Sequence, residues 1–307
     1  MVAGSPTLAV FSLNLIADAR DMLNYDFMRY AFMAGTAMAL LGGMTGYFVV
    51  LTRLPFAGEA LSHVAFAAVL GAAVIGFDPL AGLFLITVVV AVGMGALGGR
   101  TKIRDTSIGM VLAWVLGLGA LFLSIYTASG SSGNAQVGIN ALFGSILGVQ
   151  LPQAQEAVLV AAGAVIVLLG IARPLLFASI DPDVAAARGV PVGVLGIVFL
   201  ALLAITVAEA VQVIGALLIL ALLVTPAAIA QRVTTRPFRA MWISALLAVA
   251  FTWIGLTLGY YTPYPVSFFI TSLGFGTYLL TLAVEYVHRN LGYRTLVTGV
   301  ARTGPGR

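Results

Sequence analysis

Apolar stretches of about twenty residues follow one another along nearly the whole chain, and this pattern constrains the fold more than any other feature. Of the 307 residues, 61% are hydrophobic and only 8% are charged, and the mean hydropathy is +1.09. Soluble domains carry roughly 25% charged residues, and a soluble fold of this composition would expose more apolar surface than water tolerates. The sequence therefore predicts an integral membrane protein.

The apolar stretches predict an all-α polytopic bundle of about eight or nine transmembrane helices. Segment 192–230 is too long for one span and must break between Glu209 and Gly215, whereas 137–149 is short, interrupted by glycines and predicted to be re-entrant or interfacial. We divide the chain into an amphipathic N-terminal lead-in (1–26), a transmembrane domain (27–287) and a cytoplasmic C-terminal tail (288–307). The candidate spans are 27–51, 56–75, 79–98, 107–126, 156–172, 192–211, 213–230, 240–259 and 266–284.

Lysine and arginine fall at every second junction between these spans, and the alternate junctions (76–78, 128–136 and 260–265) contain neither. Cytoplasmic loops collect Lys and Arg, so we predict that the basic junctions and the C-terminal tail are cytoplasmic. Nine spans with an external N-terminus fit this pattern best, and the alternative is eight spans with a cytoplasmic N-terminus, if one segment does not cross. The same asymmetry explains a sequence pI near 9.6 without a nucleic-acid partner, and predicts a multi-pass protein of the plasma membrane, surrounded by lipid.

Among the ionisable residues within the predicted spans, we single out Glu59, His63 and Glu209. A charged side chain in mid-membrane costs about 2.5–3.5 kcal/mol on insertion scales, so such residues are candidates for function. Glu209 is a candidate pathway residue, and the alternative is that it caps a helix end near the outer face.

Glu59 and His63 are four residues apart, which places them on one helical face. Counted from Arg53 at 1.5 Å per residue, Glu59 lies about 9 Å and His63 about 15 Å into the membrane. A carboxylate and an imidazole can bind Zn²⁺, Mn²⁺ or Fe²⁺, and the chain has no cysteine to supply a thiolate. Further ligands would come from water, backbone carbonyls or a second copy. The alternative is an internal ion pair with no role in binding.

Five segments of the chain carry a resemblance to a known family. They are LTRLPFAGEALSHVAFAAVLG, DTSIGMVLAWVLGLG, ALFGSILGV, SIDPDVAAARGVPV and VIGALLILALLVTPAAIAQR. In this order they resemble permeases of the ABC importers for manganese, zinc and iron. The acidic position of that family's acidic–His motif is often Asp, and here it is Glu59.

The resemblance implies a type II importer architecture that works as two copies, with two cytoplasmic ATPases and an extracytoplasmic metal-binding protein. It implies that Glu59 and His63 contact the transported ion, and that no cofactor is stably bound. ATP is used by the partner subunit, since the chain has no Walker-type loop of its own. The permease itself is expected to catalyse no bond chemistry.

The segment around residue 185 is predicted to form a short helix. Asp181 can cap a helix that begins at Pro182, and Gly189 can end it. By resemblance this helix couples the permease to the ATPase, and the residues assigned to the coupling are Asp181, Pro182, Asp183, Ala186 and Gly189.

Three other functions compete with a metal importer. The first is a proton-coupled secondary transporter in which Glu59, His63 and Glu209 relay protons. The second is a permease for a metal chelate such as a siderophore, although a large chelate needs no Glu–His pair. The third, an intramembrane metalloenzyme, is disfavoured because the sequence has no His-Glu-x-x-His motif.

Overall fold

The computed structural model describes residues 22–97, 101–128, 144 and 146–300. All regular structure in these residues is helical: ten α-helices and one short 3₁₀ turn at Ile146–Gly148. The α-helices are α1 (Asp26–Leu51), α2 (Pro55–Val74), α3 (Pro79–Leu97), α4 (Thr101–Ala128), α5 (Leu151–Ile180), α6 (Pro182–Ala187), α7 (Val192–Ile214), α8 (Ala216–Val233), α9 (Pro237–Tyr261) and α10 (Val266–Val300).

The helices confirm the predicted all-α membrane fold. Eight helices in the described residues are long and apolar enough to cross a membrane, and a shorter apolar helix, Leu218–Val233, forms most of α8. The predicted break in segment 192–230 falls at Gly215, which has φ +88° and separates α7 from α8. Glycine adopts this left-handed region without the steric cost that a Cβ imposes, so the chain turns there without a loop.

Short connections reverse the chain between successive long helices, so the bundle has two ends. The rings of Tyr25 and Tyr260 are 6.2 Å apart, which places the start of α1 and the end of α9 together at what we call the Tyr260 end. At the opposite, Asp181 end, a cavity of about 500 Å³ is bordered by residues that include Thr52, Pro182 and Val192. The distribution of basic residues predicts that the Asp181 end faces the cytoplasm.

Helix α1 packs closely against two neighbours through two glycines. A Cβ at Gly46 would overlap the carbonyl of Leu223 on α8, and a Cβ at Gly43 would lie 2.6 Å from the Cα of Ala245 on α9. The Ser244 hydroxyl also donates to the Gly43 carbonyl at 2.7 Å. A Cβ at Gly42 would meet no neighbouring atom within 4 Å. The spacing of Gly42 and Gly46 is typical of close helix packing, but of these two glycines only Gly46 makes such a contact.

Helix α5 is longer than the predicted span 156–172. It begins five residues earlier, where Gln153 Oε1 accepts a hydrogen bond from the Gln150 backbone at 3.1 Å and proline occupies the first turn. Arg173, predicted at a junction, lies inside the helix and is exposed. A long arginine side chain can extend its charge to the membrane surface from within a helix, so the residue needs no loop.

Several predictions fall wholly or partly outside the described residues. Most of the lead-in (1–26) and of the predicted re-entrant segment 137–149 lie there, and only the end of the latter is seen, as the 3₁₀ turn. Helix α10 continues to Val300, so the first part of the predicted tail 288–307 has helical backbone.

We expect Gly46→Ala to destabilise the protein, because the added methyl group forces α1 and α8 apart. Overpacking of this kind costs about 1–3 kcal/mol. The matched control is Gly42→Ala, one turn earlier in the same helix, where the methyl group meets open space and helix propensity improves. Thermal unfolding of the two variants in detergent should show a lower midpoint for Gly46→Ala only. Equal midpoints would contradict the packing at Gly46.

Candidate functional site

A tight turn from α1 places the start of α2 at the Asp181 end. The Leu54 backbone N–H donates to the Val49 carbonyl at 2.8 Å, and Arg53 adopts φ +56°, a left-handed conformation that commonly closes a helix C-terminus. Pro55 follows in the first turn of α2, where its missing N–H costs nothing. Glu59 and His63 therefore lie in the second and third turns of a helix whose start is fixed.

The side chains of Glu59 and His63 are in direct contact. His63 Nε2 lies 3.2 Å from Glu59 Oε1, and the side chains retain 15% exposure for His63 and 28% for Glu59. The Ser62 hydroxyl donates to the Glu59 backbone carbonyl at 2.8 Å, so its hydrogen bond is made within the same turn of α2. The two ionisable groups are thus partly accessible in a helix that is otherwise mostly buried.

The geometry of this pair is compatible with both predicted roles. A proton on Nε2 makes the contact a hydrogen bond to the carboxylate. Two ligands held about 2.0–2.2 Å from one tetrahedral metal ion are about 3.3–3.6 Å apart, so the same two atoms can hold an ion with little movement. His63 Nδ1 is buried and has no hydrogen-bond partner among the described residues. Metal-bound histidines generally donate from this second nitrogen, and that support is missing here.

Glu59 borders a groove between α2 and α8. The groove has a volume of about 520 Å³ and is lined by Pro55, Phe56, Glu59, Leu220, Ala221, Val224 and Thr225. Phe56 is 65% exposed, so the groove lies at the surface of the single chain. Its walls are apolar apart from the Glu59 carboxylate and the Thr225 hydroxyl. Sequence reasoning missed Thr225, because no charge distinguishes it from other threonines in the spans.

Glu209 lies apart from this groove and is not a helix cap. It sits inside α7, five residues before the end at Ile214, and is fully buried with 0% exposure. Gly215 caps α7, so the interpretation of Glu209 as a cap is wrong. Glu156 on α5 is close enough to act on it electrostatically. Sequence reasoning missed Glu156 as an interior residue because it placed the start of that span at Glu156 itself.

Helix α6 has the predicted local structure. Asp181 Oδ1 accepts a hydrogen bond from the Val184 backbone at 3.0 Å, Pro182 is the first helical residue, and Gly189 follows the helix with φ +82°. Asp183 and Ala186 are exposed, while Ala185 is fully buried. The helix is thus anchored by Ala185 and presents its polar face at the Asp181 end.

Comparisons with known proteins agree with this fold. The model of the ABC 3 transport family matches residues 24–285. An uncharacterized membrane protein of Synechocystis is 30% identical over 254 residues, which cover 81% of this chain and 87% of that protein. A manganese transport system membrane protein, MntC, of Halalkalibacterium halodurans is 26% identical over 230 residues, covering 75% of this chain and 77% of that one.

A solved structure shares the helical arrangement. A chain of PsaBC from Streptococcus pneumoniae, determined in complex with Fab, superimposes with a TM-score of 0.76 at 23% identity, covering 87% of this chain and 95% of that chain. This likeness establishes the fold. The family match runs from just before α1 into α10 and includes Glu59, His63 and α6. The chain therefore belongs to the ABC 3 transport family.

Proposed function

We propose that this chain is the permease subunit of an ATP-driven importer for divalent transition-metal ions: Mn²⁺, Zn²⁺ or Fe²⁺. The observation that carries the proposal is the contact of Glu59 with His63 beside an otherwise apolar groove, in a member of an ABC transport family. The relative from Halalkalibacterium halodurans, a manganese transport system membrane protein, supports a metal as the cargo. Cytoplasmic ATPases would drive transport, and an extracytoplasmic metal-binding protein would deliver the ion.

The chemistry of the pair favours an ion over a larger cargo. A carboxylate oxygen and an imidazole nitrogen suit divalent first-row metals, and their 3.2 Å separation suits two ligands on one ion. A chelate such as a siderophore arrives with its metal already coordinated, so it would leave this pair without a role. A proton-coupled transporter would use the same residues, but membership of an ABC transport family favours ATP as the energy source.

We expect two copies of the chain in the working complex, because one chain offers too few ligands. Glu59 and His63 supply two, and the groove that Glu59 borders is open at the surface of a single chain. A second copy placed against this surface could close the groove and add ligands. Native mass measurement of the permease purified with its ATPase should give two permease chains per complex. A complex with one permease chain that still transports metal would contradict the proposal.

Glu59→Gln and His63→Ala should each reduce metal uptake by about tenfold or more, the scale of effect seen when a group supporting a metal site is lost. The measurement is Mn²⁺ uptake by vesicles that contain the permease and its ATPase. Asp26→Asn is the control, since it removes a carboxylate whose ion pair with Arg29 is solvent-exposed and worth little. That variant should transport like the wild type.

The double variant Glu59→Gln/His63→Ala separates binding from an internal ion pair. If the pair only neutralises itself, each single change strands a partly buried partner and lowers stability, and the double change restores stability and transport together. If the pair binds the cargo, the double variant folds and associates with the ATPase but carries no metal. Normal uptake by the double variant would therefore refute the role of these residues.

Gly189→Ala should uncouple ATP hydrolysis from transport, if α6 transmits the movement of the ATPase. The added methyl group meets no atom within 4 Å, so the change acts through the left-handed backbone alone, at a cost of about 1–2 kcal/mol. Gly193→Ala, nearby in α7, is the matched control because it also meets open space and has no positive φ. The ratio of Mn²⁺ transported to ATP hydrolysed should fall only for Gly189→Ala, and an unchanged ratio would contradict the coupling role.

A further inference from the structure

Glu209 is fully buried, and it takes part in none of the ion pairs found among the described residues. Its side chain has 0% exposure, and neither carboxylate oxygen has a hydrogen-bond partner in the described part of the chain. An isolated carboxylate cannot remain charged in such surroundings unless something compensates it. The group must therefore hold a proton or a cation.

The surroundings of Glu209 add negative charge. Glu156, in the second turn of α5, is half-buried and close enough to act on Glu209 electrostatically. The described ion pairs join other residues, so neither carboxylate is neutralised by a basic side chain there. A divalent cation bound by both carboxylates would offset this repulsion, because its charge is opposite to theirs.

A third oxygen lies on the same face of α7. Gln212 follows Glu209 by three residues, a spacing that makes helical neighbours. Its Oε1 atom is buried and, like the Glu209 oxygens, has no hydrogen-bond partner among the described residues. A proton on Glu209 would provide a donor for Gln212 Oε1 but would leave the other Glu209 oxygen without a partner, whereas one cation can be bound by all three oxygens. A cation bound on this face of α7 would satisfy these acceptor oxygens together.

We propose that Glu209, Gln212 and Glu156 form a second divalent-cation site, with oxygen donors only, at the Tyr260 end of the bundle. This inference rests on the proposed function and treats the site as a station for the same cargo. Donor sets made of carboxylate and carbonyl oxygen suit Mg²⁺, Ca²⁺ and Mn²⁺. Of these, Mn²⁺ is also suited to the Glu59–His63 pair, so the combination of the two sites favours Mn²⁺ as the ion carried.

The second site is separate from the pair on α2. Glu209 is five residues from the end of α7, about 8 Å at the helical rise, whereas His63 is eleven residues from the end of α2, about 17 Å. Both of these helix ends lie at the Tyr260 end, so Glu209 is about 9 Å nearer to it. The charge distribution predicts that the Tyr260 end is external, and an ion entering from outside would reach the oxygen site first.

The test is Mn²⁺ binding by the permease purified with its ATPase, in a background that lacks the first site. In Glu59→Gln/His63→Ala we expect one Mn²⁺ to remain bound per permease chain, measured by equilibrium binding and by the electron paramagnetic resonance of the ion. Adding Glu209→Gln, which keeps the shape and removes the charge, should weaken this binding at least tenfold. Asp26→Asn, an exposed carboxylate at the same end, should leave it unchanged.

Two results would overturn the second site. Either the background variant binds no Mn²⁺, or it binds Mn²⁺ with an affinity that Glu209→Gln does not change. In both cases a higher unfolding temperature of Glu209→Gln would identify Glu209 as a protonated core residue. Uptake by the wild type is measured separately, and if the wild type transports Mn²⁺ while either of these two results is obtained, only the present inference is refuted. A wild type that transports no metal refutes the proposed function instead.

Discussion

The structure depends on the requirement that polar groups inside a membrane find partners within the protein. Helices satisfy their own backbone, and most hydroxyl groups in the spans follow the same rule by donating to the carbonyl four residues earlier. Thr87, Thr206 and Thr252 do so at 2.6–2.9 Å. Against this background, buried polar atoms without partners are informative. In the described part of the chain they are concentrated at His63, Glu209 and Gln212, with one further hydroxyl in α1.

The sequence was sufficient for the architecture because each of its signals is local. Apolar length gives the spans, the glycine at 215 gives the break between α7 and α8, and Asp181 with Pro182 gives the start of α6. The spacing of Glu59 and His63 is also local, since four residues make one helical turn. Each of these features needs only the helix on which it lies, so no knowledge of the neighbouring helices is required.

The sequence did not predict which residues of a helix contact a neighbouring helix. The sequence alone does not distinguish Gly42 from Gly43, but only Gly43 contacts α9. Ala185 and Ala186 are likewise indistinguishable until α6 packs against the bundle and buries Ala185. Glu209 was interpreted as a possible cap because it lies near a predicted helix end, and only the true start of α5 shows that Glu156, in its second turn, acts on Glu209 electrostatically. Helix–helix contacts in a membrane depend on shape, which the composition of a single span does not encode.

Helix α8 links the packing of the bundle to the groove beside Glu59. One side of it meets α1 at Gly46 through the backbone of Leu223, and the other side lines the groove through residues that include Thr225. Near its far end, Arg232 forms an exposed ion pair with Glu285 at 2.6 Å. Pro226, between Leu223 and Arg232, lacks the N–H for one helical hydrogen bond. A bend of α8 is therefore least costly next to Thr225, where it would change the width of the groove while the approach to Gly46 stays intact.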